Sequence, residues 1–142
     1  MPEASILIVD DSDSDVMLER FAFEQIKFPY RIDRAVDGIA ALEQLAARSG
    51  KSDLPAVMLL DVKMPRLSGL EMLERVRADP AYSGIYIIVF SSSDEPHDVA
   101  EAERLGANLY LQKPSTLSEL EDMARWVLRI VEARPAKGQK AS

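Results

Sequence analysis

The stretch Val57-Met58-Leu59-Leu60-Asp61-Val62-Lys63-Met64-Pro65 constrains this chain more than any other. Four apolar residues run together, a carboxylate follows, and prolines at 55 and 65 bound the segment. A short continuous apolar run between breakers reads as a strand buried on both faces, as in a parallel sheet. Asp61 then stands at the carboxyl end of a central strand, where open α/β sheets form their ligand crevices. A solvated loop acid would leave the same trace, so Asp61 is weighed by what else reaches that edge.

Four other segments read as strands. Ser5–Val9 is a first buried one, rich in β-branched residues, and the more polar Tyr30–Val36 suits a place near the sheet edge. Tyr86–Phe90 and Leu109–Leu111 supply the fourth and fifth. Helical patterns lie between them. The acids and serines of Asp10–Asp15 suit the start of a helix running from about Ser14 to Gln25, with Met17, Leu18, Phe21 and Gln25 on one face, Val16 and Phe23 on the other side so that two flanks are expected to be partly covered, and Pro29 beyond its end. Asp37 caps a second helix to about Ala47, with Ile39, Leu42, Leu45 and Ala46 spaced for one side. Gly69–Ala78 makes a third, and Pro96–Leu105 a fourth that Gly106 ends as a left-handed cap. Thr116 and Glu119 form a capping box for a last helix reaching about Ala133. Strand and helix thus alternate five times. Short connections between them predict right-handed crossovers and a doubly wound parallel sheet covered on both faces.

The bulk properties exclude several classes. A chain of 142 residues with 47% hydrophobic and 29% charged content reads as one ordinary globular domain over residues 1–134, with a polar tail at 135–142. No apolar run approaches the ~20 residues of a membrane helix. The absence of cysteine removes disulfides, thiol catalysis and thiolate metal sites, and fits a cytoplasmic location. A net charge of −7 opposes binding to nucleic acid, whose phosphates require a basic footprint.

On such a sheet, Asp10 and Asp11, Asp61, Ser91 and Lys113 all follow strands at the same carboxyl edge. Converging carboxylates repel one another unless a cation joins them, and an all-oxygen set of this kind suits Mg²⁺. An acid nucleophile, a hard cation, a lysine and a hydroxyl are together the parts that receive and hold a phosphoryl group. Taken singly, Ser91 reads equally as a helix cap and Lys113 as a solvated turn residue. Their joint arrival after different strands is what carries the argument.

These residues make the chain resemble the response regulator receiver domains of two-component signalling. The resemblance rests on Asp10-Asp11, Asp61 with Met64-Pro65 and Gly69, Ser91, and Lys113-Pro114, and it covers about Ser5 to Val131. It implies a flavodoxin-like (βα)5 fold with strand order 2-1-3-4-5. It further implies that Asp61 accepts a phosphoryl group from a histidine kinase. Asp11 and Asp61 would ligate Mg²⁺ directly, Asp10 through water, and the Lys63 backbone carbonyl would complete the protein ligands. Ser91 would hydrogen-bond the phosphoryl group, Lys113 would ion-pair with it, and Lys113-Pro114 is a candidate cis peptide. Ser91 and Tyr110 would form the switch toward a surface made by the fourth helix, fifth strand and fifth helix. The length matches single-domain regulators, and the Ser49–Pro55 loop is similar to that of regulators paired with bacterial phytochrome kinases.

Some positions depart from the pattern or fall outside it. Lys63 places a cation near the acceptor, with solvent the favoured direction, and Ser93 offers neither carboxylate nor amide to orient water. His97, the only histidine, reads as an exposed or capping residue. In the last helix, Leu117, Leu120, Ala124, Val127 and Val131 define the core face. Met123, Trp126 and Ile130 form a second stripe, which reads either as a broadened core margin or, the favoured expectation, as a partner contact such as a two-fold homodimer. Two other functions fit parts of the pattern. One is a phosphatase or phosphotransferase with an aspartyl nucleophile; Asp11-Ser12-Asp13 imitates the DxD motif of haloacid dehalogenase-like enzymes, but no cap-sized insertion follows. The other is a receiver-like adaptor that works without phosphorylation, which the intact Asp11, Asp61 and Lys113 set disfavours.

Overall fold

The computed structural model describes residues 4–92 and 95–134. Ser93 and the tail at 135–142 lie outside the described residues. The elements run β1 (Ser5–Val9), α1 (Asp13–Gln25), β2 (Arg31–Ala35), α2 (Gly38–Ser49), β3 (Val57–Leu60), α3 (Gly69–Ala78), a 3₁₀ turn (Pro80–Tyr82), β4 (Tyr86–Ser91), α4 (Pro96–Arg104), β5 (Leu109–Gln112) and α5 (Leu117–Glu132). All strand pairs are parallel and the order is β2-β1-β3-β4-β5, the flavodoxin-like arrangement. No helix among the described residues is long and apolar enough to cross a membrane.

Period-two alternation along the strands splits the interior into two cores. Leu7, Val9, Met58, Leu60, Ile87 and Val89 face α2, α3 and α4, where they meet Leu45, Leu73 and Ala102. Ile6, Ile8, Val57, Leu59, Ile88 and Phe90 face α1 and α5, against Phe23, Ala124 and Val127. The β3 run is buried throughout, as a central strand with helices on both sides requires. The edge strands are more polar or less covered: Arg31–Arg34 of β2 are half-buried or exposed, and no residue of β5 is fully buried.

Helix starts and stops follow local chemistry. Ser12, Asp37, Ser68 and Thr116 each cap a helix by accepting a backbone N–H. The reciprocal capping box lies at Ser68 and Glu71, one residue before the expected start of the third helix. At α5 the Glu119 carboxylate instead accepts the Thr116 hydroxyl at 2.8 Å, so that pair is a cap without the return bond. Gly106 ends α4 with φ +102, and Lys27 takes φ +57 as the chain leaves α1 ahead of Pro29.

Four expectations about faces and peptides are corrected. The buried residues of α1 are Val16, Glu19, Ala22 and Phe23, whereas Met17, Leu18 and Phe21 are exposed. The stripe of Met17, Leu18 and Phe21 is thus the outward one, and the flank of Val16 and Phe23 is the covered one, with Glu19 in a core position beside them. In α2, Ala46 is exposed and Ala41 takes the buried place beside Leu45. In α5, Leu120, Ala124, Val127 and Val131 are buried as expected, but Leu117 in the first turn is exposed and Met123 belongs to the core. Ile130 packs half-buried on the same cluster, leaving Trp126 as the exposed member of the second stripe. Lys113–Pro114 is trans, since no described peptide is cis. Trans is the lower-energy isomer by about 0.5–1 kcal/mol; on the preceding peptide, the Lys113 N–H donates to the Ser91 carbonyl at 2.7 Å.

Gly69 fixes how closely α3 approaches the end of β3. Its N–H donates to the Val62 carbonyl at 2.9 Å. A Cβ there would lie 2.0 Å from the Asp61 carbonyl oxygen, and backbone cannot move aside as a flexible side chain can. Gly69→Ala should therefore destabilise the fold by on the order of 1–3 kcal/mol, the usual range for overpacking. A thermal melt followed by circular dichroism checks this, and an unchanged midpoint would contradict the close approach.

Candidate functional site

The site sits where β1, β3, β4 and β5 end. Backbone bonds across the sheet set its spacing: the Asp10 N–H donates to the Ala35 carbonyl at 3.1 Å and the Asp61 N–H to the Val9 carbonyl at 3.0 Å. Adjacent strand ends therefore deliver Asp10, Asp11 and Asp61 to one point, and one oxygen from each lies within 4.8 Å of the others. Asp10 and Asp61 are buried, whereas Asp11 is exposed. Ser91 closes β4 and is buried beside them. Lys113 follows β5, and its Nζ donates to Asp10 Oδ2 at 2.7 Å and to Asp15 Oδ2 at 2.8 Å, with Asp61 Oδ1 at 3.8 Å.

The remaining expected residues are placed as follows. Lys63 is exposed, in line with the solvent direction favoured for it. Its loop, from Val62 to Ser68, lies between Asp61 and the start of α3. Tyr110 on β5 is half-buried and packs on the core cluster that includes Ala102 of α4. Trp126 lies apart from the carboxylates, on an open groove between β5 and α5 that also involves Leu109, Leu111, Glu119 and Met123. His97 is exposed at the start of α4.

Four residues of the site's surroundings were not expected. Asp15 and Glu19 lie four apart on α1, so they share a face, and that helix begins at the end of β1. Their spacing was the available signal, but a core glutamate contradicts ordinary patterning. Arg34 on β2 donates from Nε and Nη2 to the Asp10 carbonyl at 3.1 and 2.9 Å, bracing the backbone that carries the acid pair. Arg66, with φ +67, pairs with the buried Asp37 through Nε at 2.8 Å and ties the loop after Asp61 to the cap of α2. Both arginines act across the chain, where sequence spacing carries no trace.

The burial of so many acids shifts their protonation. Desolvation pushes the Asp61 carboxyl up to about 6, with Asp10 and Asp11 acting the same way and Lys113 opposing them. Desolvation likewise pushes Glu19 up to about 8, helped by Asp10, Asp15 and Asp61. Burial alone would lower the Lys113 ammonium, but hydrogen bonds to Asp10 and Asp15 outweigh it and hold the group above its ordinary value. An all-oxygen donor set with this excess of negative charge fits a hard divalent cation such as Mg²⁺.

The raised carboxyls give a signed pH dependence. Folding favours the protonated form of each, so the stability they lend is complete below the unfolded value and is lost as pH rises through about 6 for Asp61 and about 8 for Glu19. In metal-free protein, Glu19→Gln should match the wild type near pH 5 and melt higher than it near pH 9. The gap should approach about 5 kcal/mol at full ionisation, since the rise from 4.5 to about 8 spans roughly three and a half tenfold steps in proton affinity at about 1.4 kcal/mol each. Parallel melting curves of the two proteins across that range would contradict it.

Comparison with known proteins agrees with this geometry. The profile of the response regulator receiver domain matches residues 6–125. A probable methanogenesis regulatory protein, FilR2, of Methanothrix harundinacea is 34% identical over 128 residues, covering 89% of this chain and 81% of that protein. The crystal structure of the phosphorylated cyanobacterial phytochrome response regulator RcpA is similar with TM-score 0.82 and 25% identity, over 92% of this chain and 95% of that one. The Mn²⁺-bound form of response regulator Rcp1 is similar with TM-score 0.76 and 27% identity, over 89% and 91% of the two chains. With five parallel strands in this order and its acids gathered at their carboxyl ends, the chain belongs to the response regulator receiver domain family of two-component signalling.

Proposed function

We propose that this protein takes a phosphoryl group onto Asp61 from the phosphohistidine of a sensor histidine kinase and relays that event as a change of partner. The observation that carries this reading is the meeting of Asp10, Asp11 and Asp61 with Lys113 at one strand edge. A carboxylate oxygen of Asp61 attacks phosphorus, forming an O–P bond as the donor's bond to phosphorus breaks and its electron pair leaves with the donor. Asp11 and Asp61, with Asp10 through water and the Lys63 carbonyl, would hold Mg²⁺. When bound, that ion supplies positive charge against the developing negative charge on the phosphoryl oxygens. Ser91 and Lys113 receive those oxygens by hydrogen bond and ion pair. Of the two similar regulators, RcpA is phosphorylated and Rcp1 is Mn²⁺-bound, which supports carrying the same chemistry to this chain. On this reading the chain catalyses only its own phosphorylation and dephosphorylation, works in the cytoplasm, and binds neither nucleic acid nor membrane.

The kinase favoured by the likeness to RcpA is of phytochrome type. Residues 1–134 would form the receiver and 135–142 a polar tail. Output would pass from Ser91 through Tyr110 to the α4-β5-α5 surface, with a homodimer as its first partner. Of the three stripe residues, Trp126 offers the exposed surface for that contact, while Met123 and Ile130 support it from beneath.

Incubation with acetyl phosphate and Mg²⁺ separates the readings. A stable acyl phosphate on Asp61, lost in Asp61→Asn with the fold intact by circular dichroism, is expected of a receiver. Continuous release of phosphate would mark an enzyme, and no reaction would favour an adaptor. Trp126→Ala should shift the phosphorylated protein toward monomer in sedimentation velocity; a wild type monomeric in both states would exclude the dimer.

A further inference from the structure

An ammonium has three N–H donors. On Lys113 two of them are engaged, with Asp10 at 2.7 Å and Asp15 at 2.8 Å, while the nearest Asp61 oxygen stands beyond hydrogen-bond reach at 3.8 Å. The lysine assigned to the phosphoryl group is thus held off the acceptor by a carboxylate from the first turn of α1. Its two anchors differ in kind. The Asp10 side chain is 3% exposed and also accepts the Ser12 N–H, so releasing it would leave a buried charge unpaired. The Asp15 side chain is 40% exposed, so water can replace the lysine there.

The fold also leaves room on the side where Asp15 pulls. A small cavity between α1 and the segment after β5 is lined by Asp15, Glu19, Phe90, Lys113 and Leu120. Glu19, one helical turn beyond Asp15, is neutral near neutral pH because burial raises it to about 8. Asp15 is therefore the acid of that cavity placed to hold the ammonium by hydrogen bond.

We infer that Asp15 is a positioning residue that tethers Lys113 away from Asp61 in the unphosphorylated protein, and that phosphorylation draws the ammonium across to the phosphoryl oxygens and leaves Asp15 to water. This rests on the reading of Asp61 as the phosphoacceptor. A phosphoryl group brings close to two negative charges and three acceptor oxygens, which a single half-exposed carboxylate cannot match. The tether lowers the affinity of the site for a phosphoryl group by whatever Asp15 contributes in the resting state. It makes the position of Lys113, and with it the segment from Lys113 into α5, differ between the two states.

The test uses the full chain and two variants, Asp15→Asn and Asp15→Glu. In metal-free, unphosphorylated protein, ¹⁵N spectra of the Lys113 ammonium should show slow hydrogen exchange in the wild type. Exchange should be several-fold faster in Asp15→Asn and restored in Asp15→Glu, a signature that a general loss of stability would not give. With Mg²⁺ present, beryllofluoride, a phosphoryl mimic, should bind Asp15→Asn roughly three- to tenfold more tightly than wild type, the scale of one charge-assisted contact at a partly exposed site. The difference should persist in about 0.5 M salt, where fields beyond contact distance are screened. A difference that vanished in salt would make the effect a diffuse field and overturn the tether. Unchanged exchange and unchanged affinity in Asp15→Asn, in a wild type that accepts phosphate from acetyl phosphate, would overturn the tether alone. A wild type that accepts no phosphate would overturn the receiver reading and the tether with it.

Discussion

Everything at the active edge depends on a balance of charge around one ammonium. Three strand ends and one helix bring Asp10, Asp15, Asp61 and Glu19 to the same region, and Lys113 is the cation that meets them. Taking such acids out of water costs several kcal/mol each unless they are paired or protonated. The structure uses both remedies. Asp10 receives the lysine and a backbone N–H, Glu19 carries its proton, and Asp61 is shifted partway toward doing so. The resulting site is short of positive charge, which is why a divalent cation suits it and why its strands must be held firmly by the sheet.

That firmness comes from backbone hydrogen bonds rather than from the acids. Asp10 and Asp61 hang on N–H groups bonded to neighbouring strands, Arg34 grips the Asp10 carbonyl, and Gly69 lets α3 close against the Asp61 carbonyl. The Arg66–Asp37 pair then links the loop beyond Asp61 to the start of α2. None of these backbone and arginine contacts runs through the Asp61 carboxylate, so the frame does not depend on that side chain. Altering Gly69 is a different matter, because that position belongs to the frame.

The frame was readable in the sequence because burial on both faces leaves a plain mark. Val57–Leu60 and Ser5–Val9 are apolar runs that a parallel sheet explains and little else does, and prolines and glycines punctuate them. The acids and Lys113 were readable because each directly follows a strand. What escaped were features in which local pattern and tertiary demand disagree. Glu19 occupies a core position beside Val16 and Phe23, and the stripe of Met17, Leu18 and Phe21 is the outward flank of α1. Met123 recurs with Trp126 at helical spacing, yet α5 is seated so that one is covered and the other is not. Arg34 and Arg66 reach partners 24 and 29 residues away, a distance at which no periodicity operates.

The placement of Lys113 joins the site to the fifth strand. β5 lies at the edge of the sheet, pairs with β4 alone, and has no fully buried residue. Segments with one neighbour and partial cover open and shift at lower cost than central strands. Lys113 follows its last residue, Tyr110 stands in its middle against the α2-α3-α4 core, and Leu109 and Leu111 pack half-buried toward α5. Lys113 thus ties the site to an edge strand whose side chains reach both cores. β1 and β3 are buried throughout and β4 nearly so, whereas the two edge strands, β2 and β5, are the partly covered ones.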